Sequence, residues 1–137
     1  MKKALIIVQN KNNTTRKFGE EIAEFLLKRG LFAELIPINN FEPKTLDGAD
    51  YLLLSGGRNS SLFSRTDNEW INFVKRLPTL NGIKTALFAT YKIFPGGIFR
   101  RMKKYLKEKT DNLTFDFKSR DGSLSVSDKL TLNDFIR

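Results

Sequence analysis

The sequence predicts an α/β fold in three layers, a five-stranded parallel sheet in the order 2-1-3-4-5 with helices on both faces. Three observations carry that expectation. Strand-like and helix-like segments alternate along the chain, which implies βαβ units joined by right-handed crossovers. The first strand-like segment, Ala4-Leu5-Ile6-Ile7-Val8, is an unbroken apolar run, as a strand covered on both faces requires. Polar loops follow the first, third and fourth strands, and the order 2-1-3-4-5 is the one in which those loops converge.

Taken in order, the residues from Asn10 to Thr15 end the first strand, and a helical stripe then recurs at Phe18, Ile22, Phe25, Leu26 and Arg29 before Gly30 stops it. Phe32 to Ile38 reads as the second strand. A turn around Pro43 follows, and the stretch from Asn39 to Asp50 has room for one short helical turn. Tyr51-Leu52-Leu53-Leu54 is the third strand and runs into Ser55-Gly56-Gly57. Thr66 or Asp67 is placed to cap a helix with the stripe Trp70, Phe73, Val74 and Leu77, ended by Pro78. Lys84 to Thr90 is the fourth strand. Ile98, Met102, Tyr105 and Leu106 form the inner face of the next helix, which turns Arg100, Lys103, Lys104 and Lys107 outward with Arg101 at the border. Leu113 to Phe117 is the fifth strand, Asp121-Gly122 a turn, and Ser127 the expected cap of a last helix carrying Leu130, Phe135 and Ile136. No repeat or linker divides the chain, so residues 1–137 read as a single domain.

Composition narrows the chemistry. The chain has no cysteine and no histidine, which excludes thiol chemistry, disulfides, zinc fingers and histidine-dependent triads. Carboxylates, lysines, hydroxyls or a bound cofactor must then supply any reactivity. No apolar run is long enough to span a bilayer, and Met1-Lys2-Lys3 leads directly into a strand rather than a signal peptide; the expectation is a cytoplasmic protein without a membrane role. The net charge of +9 and pI of about 9.9 favour anionic partners.

Open parallel sheets bind ligands beyond the carboxyl ends of their strands, where strand order reverses. Three loops stand there: 10–15, 55–65 and 90–97. In the first, Asn12, Thr14 and Thr15 offer side-chain donors and Lys11 and Arg16 add charge, just where a helix begins and its free N–H groups attract an anion. A phosphate suits that position. The same Asn and Thr residues also serve as ordinary turn and cap residues. Neither G-x-x-x-x-G-K-[ST] nor G-x-G-x-x-G occurs, so P-loop hydrolysis and a dinucleotide site have no support. Ser55-Gly56-Gly57-Arg58 allows close backbone approach to a planar ligand, or simply makes a turn. Tyr91 is placed to lie against a ring, or is a surface aromatic.

With these loops in place, the chain resembles the flavodoxin family along nearly its whole length. Asn10-Lys11-Asn12-Asn13-Thr14-Thr15 stands where the family has its phosphate loop, usually written [ST]-x-T-G-x-T. Asp67-Asn68-Glu69-Trp70-Ile71-Asn72-Phe73 and Leu80-Asn81-Gly82-Ile83-Lys84-Thr85-Ala86-Leu87-Phe88 are similar to the family's third helix and fourth strand, as is Asp47-Gly48-Ala49-Asp50-Tyr51 before the third strand. The resemblance implies a flavodoxin-like three-layer sandwich that binds FMN and acts in electron transfer, as a carrier or a small flavin reductase. It puts Asn10, Lys11, Asn12, Asn13, Thr14 and Thr15 at the phosphate, and Ser55, Gly56, Gly57, Arg58, Thr90, Tyr91 and Lys92 around the flavin ring. Three departures stand out. Asn12 and Asn13 replace Thr and Gly, the second loop lacks a ring-stacking aromatic, and the chain is basic where electron-carrying flavodoxins are typically acidic.

The basic balance implies an acidic redox partner. The alternative is a cofactor-free flavodoxin-like module that docks an acidic protein or nucleic acid through its basic face. Nucleic acid is the weaker of those two, since aromatics are not interleaved with the charges. A response-regulator receiver shares the strand order, but the acidic residues it needs are replaced here by Gln9, Asn10 and Ser55.

Overall fold

The computed structural model describes residues 1–9, 13–56, 65–91, 97–110, 113 and 115–137. Its elements run β1 Lys3–Val8, α1 Asn13–Lys28, β2 Phe32–Pro37, β3 Tyr51–Ser55, α2 Arg65–Arg76, β4 Lys84–Thr90, α3 Ile98–Leu106, β5 Phe115–Ser119 and α4 Val126–Phe135. All four strand pairings are parallel and the order is β2-β1-β3-β4-β5, as expected.

The unbroken apolar run of β1 is explained by the two faces it divides. Leu5 and Ile7 point into one core with Leu52, Leu54, Leu87 and the inner faces of α2 and α3, while Ala4, Ile6 and Val8 point into the other with Leu53, Phe88, Phe117, α1 and α4. Helix α1 ends in a Schellman motif: Leu31 N–H donates to Leu26 O and Gly30 N–H to Leu27 O, with Gly30 at φ +86°.

Five details differ from the sequence expectation. The β2–β3 crossover holds two 3₁₀ turns, Ile38–Asn40 and Pro43–Leu46, rather than one; buried Ile38, Phe41 and Leu46 pin them to the core. Helix α2 begins at Arg65, so Thr66 and Asp67 lie inside it. Strand β5 starts two residues late and runs to Ser119, because Phe117 pairs with Phe88 and Ser119 with Thr90. Ser125, not Ser127, caps α4 by accepting from Asp128 N–H, and that phase buries Leu132 and leaves Leu130 64% exposed. In α3 the buried stripe is Ile98, Met102 and Leu106, strictly i, i+4, i+8, which rotates Tyr105 to the surface at 41% exposure.

Candidate functional site

The carboxyl edge of the sheet is lined by polar side chains that the fold has buried. Gln9 follows β1, Ser55 ends β3, Thr90 ends β4, Ser119 ends β5, and Thr15 lies in the first turn of α1; all five are buried. Among the described residues the one other buried polar side chain is Thr85, near the opposite end of β4. Buried polar side chains are normally hydrogen-bonded, and those of Ser55, Thr15, Thr90 and Ser119 are.

Their bonds knit the strand ends together. Gln9 N–H donates to Ser55 Oγ at 3.2 Å, joining the exit of β1 to that of β3. Thr15 and Thr90 share a hydroxyl–hydroxyl bond of 2.6 Å, joining α1 to β4. Tyr91 N–H donates to Ser119 O at 3.2 Å, joining β4 to β5. Ser119 Oγ in turn accepts from Gly122 N–H at 3.0 Å and donates to Ser123 O at 2.8 Å, which folds the chain after β5 back over the site edge. There Leu124 N–H donates to Glu21 Oε1 of α1 at 3.1 Å. A Cβ on Gly122, which has φ +88°, would lie 2.8 Å from Thr14 O, so this turn presses on the opening of α1.

Helix α1 therefore starts at the point of the sheet where strand order reverses, between β1 and β3, and carries no acidic residue in its first turn. The positive end of the helix dipole therefore faces this edge. Asn13 and Thr14 are partly or fully exposed there. Arg16 bonds to Glu20 at 3.3 Å along the helix. Among the described residues no group of three acidic or other ligating side chains is placed to hold a metal, and no helix is long and apolar enough to cross a membrane.

No protein-family profile matches this sequence, and no curated protein does so. Solved structures do. The chain matches the two-electron reduced flavodoxin of Megasphaera elsdenii at a TM-score of 0.74 and 15% identity, over 97% of this chain and 96% of that one. The flavodoxin of Streptococcus pneumoniae TIGR4 gives 0.73 and 15% over 97% and 94%, and oxidised flavodoxin 1 of Bacillus cereus 0.69 and 17% over 98% and 94%. The fold is flavodoxin-like.

Within this flavodoxin-like fold, Asn13, Thr14, Thr15, Ser55, Gly56, Thr90 and Tyr91 are brought to one edge. Asn10, Lys11, Asn12, Gly57, Arg58 and Lys92 lie outside the described residues. Two of the placed residues have a different immediate task from the one their position suggests. Thr15 is buried with its hydroxyl on Thr90, so it positions the helix start. Gly56 donates its N–H to Phe88 O, and a Cβ there would lie 2.6 Å from Met102 Sδ and 3.1 Å from Ile98 Cδ1; its bare side admits α3. Tyr91 is half-buried. Sequence reasoning did not single out Gln9, Glu21, Ser119 or Gly122 as site-forming. Gln9 directly after an apolar strand was the available signal, since a buried polar residue at a strand exit is informative; the turn after β5 reaches α1 only through tertiary packing.

Proposed function

We propose that this protein binds FMN and carries electrons. The observation that supports it most directly is the opening of α1, free of acidic side chains, at the carboxyl edge beside the Thr15–Thr90 bond. The positive end of the α1 dipole, with the exposed Asn13 beside it, would favour a phosphate monoester dianion at that end. Ser55 and Gly56 at the exit of β3 and Tyr91 at the exit of β4 stand at the same edge, where they would flank a planar ring. FMN supplies reversible one- and two-electron chemistry when bound; the chain's part is to grip the phosphate, shape the ring site and limit water. With neither histidine nor cysteine in the chain, bound flavin is the natural source of redox chemistry. The likeness to flavodoxins over nearly the full length of both chains supports the same reading.

The test is a titration of flavin-free protein with FMN, riboflavin and FAD, followed by flavin fluorescence quenching. FMN should bind at least about ten-fold more tightly than riboflavin, since charge-assisted hydrogen bonds to phosphate contribute about 1.5–3 kcal/mol each. Absence of FMN binding at tens of micromolar would favour the cofactor-free docking module, a reading that the basic outer face of α3 supports.

A further inference from the structure

Charge is distributed unevenly over the two helical layers. Helix α1 carries three basic and three acidic side chains, and Arg16–Glu20 and Lys28–Glu24 pair along it at 3.3 Å each. Helix α3 carries Arg100, Arg101, Lys103 and Lys104 with no acidic residue, and Lys107 follows directly. Lys103 reaches Asp116 of β5 at 2.9 Å. Among the described residues, Arg100, Arg101, Lys104 and Lys107 have no carboxylate within ion-pair distance.

Cations in the last turn of a helix are explained by the dipole, which covers Lys103 and Lys104. Arg100 and Arg101 stand in the first turn, where a positive charge works against the dipole. The dipole does not account for them. Tyr105 belongs to the same surface. It is 41% exposed, and Lys104 Nζ lies 6.0 Å from its ring centroid. Tyr and Arg, with Trp, are the side chains enriched among residues that dominate protein–protein binding.

The position of this face matters as much as its charge. Ile98 and Met102 pack into the space left by Gly56 at the exit of β3, so α3 starts at the rim of the candidate site and its basic ridge extends from there for about 14 Å. We infer that the outer face of α3, Arg100, Arg101, Lys104, Tyr105 and Lys107, docks an acidic redox protein against that rim. The redox character of the partner rests on the electron-carrier reading; its acidity rests on the unpaired charges alone. A membrane surface does not fit, because the apolar stripe of α3 is spent on the core. Single-stranded nucleic acid calls for successive stacking aromatics along the charged track, and Tyr105 is alone on this one.

A plant-type [2Fe–2S] ferredoxin, an acidic redox protein, serves as probe. Its binding is measured calorimetrically at low and physiological ionic strength, with flavin-free and with FMN-treated protein. Arg100→Glu/Lys104→Glu/Lys107→Glu is compared with Lys28→Glu/Lys44→Glu/Lys129→Glu, which changes the net charge equally on other surfaces. The α3 set should lower affinity at least about ten-fold more than the control set and flatten the salt dependence, and Tyr105→Ala should weaken binding without changing that dependence. Equal losses in both sets would reduce the effect to net charge and overturn the inference. So would tighter α3-dependent binding of an oligonucleotide or of phosphatidylserine vesicles than of ferredoxin. Failure to load FMN would sink the electron-carrier reading while leaving the ferredoxin comparison intact.

Discussion

Thr15 Oγ1 and Thr90 Oγ1 lie 2.6 Å apart, both residues buried, so one hydrogen bond fastens the first turn of α1 to the end of β4 across 75 positions of chain. Either hydroxyl can donate, and neither is open to water that could replace its partner.

Removing one partner leaves the other hydroxyl buried without it. Thr15→Val and Thr90→Val should each destabilise the fold by about 1–3 kcal/mol, and the double variant by less than the sum. Urea unfolding with an unchanged m-value measures this. Strict additivity would show that the two hydroxyls do not depend on each other.

The same bond should matter to the ligand. If Thr15 acts by holding the helix start, Thr15→Ala and Thr90→Val each weaken FMN binding by about ten-fold, close to 1.4 kcal/mol, and combining them adds little. Riboflavin, which lacks the phosphate, should be affected less. Equal FMN affinity in wild type and Thr15→Ala would move the phosphate to another loop.

Gly122 and Gly48 separate backbone strain from contact. Both have positive φ, +88° and +79°, but a Cβ meets nothing within 4 Å at Gly48 and lies 2.8 Å from Thr14 O at Gly122. Gly48→Ala should cost about 1–2 kcal/mol, and Gly122→Ala about 1–3 kcal/mol more because the opening of α1 must give way. Amide hydrogen exchange should show faster opening at Thr14 to Lys17 in Gly122→Ala alone.

Asp121 should titrate below its ordinary value of 3.8, chiefly because Ser123 N–H donates to its Oδ1 at 2.9 Å, with Ser119 Oγ at 3.3 Å adding to it. A depressed carboxyl stabilises the fold above the unfolded value and loses that contribution as pH falls through the folded one. Carboxyl-carbon NMR should give a midpoint below 3.8, and Asp121→Asn should remove this part of the acid dependence. An ordinary midpoint would mean that the turn after β5 is not held by this carboxylate.

Most of the fold was legible because it rests on local pattern. The run Ala4 to Val8 had to be a two-faced strand, and Gly30 had to end a helix whose stripe closes at Leu26. Errors came where phase or a distant neighbour decides. Tyr105 and Leu106 are equally plausible inner residues until Met102 commits α3 to its stripe against Gly56, and Leu130 yields to Leu132 once Ser125 sets the start of α4. That the exits of β1, β3 and β4 share one edge followed from strand order. The role of Thr15 did not, since its partner lies on β4 and a cap, a phosphate donor and a buried tether look alike in sequence.

The turn at Gly122 also bears on when the protein acquires its working edge. The opening of α1 is braced by Thr90 and has Gly122 packed near Thr14, while Leu124, 103 positions downstream of Glu21, bonds to the middle of the helix. A chain growing on the ribosome therefore makes β1 and α1 long before it makes their supports. The carboxyl edge becomes complete only after β5 and its following turn have emerged, so the proposed FMN binding would follow the emergence of Leu124.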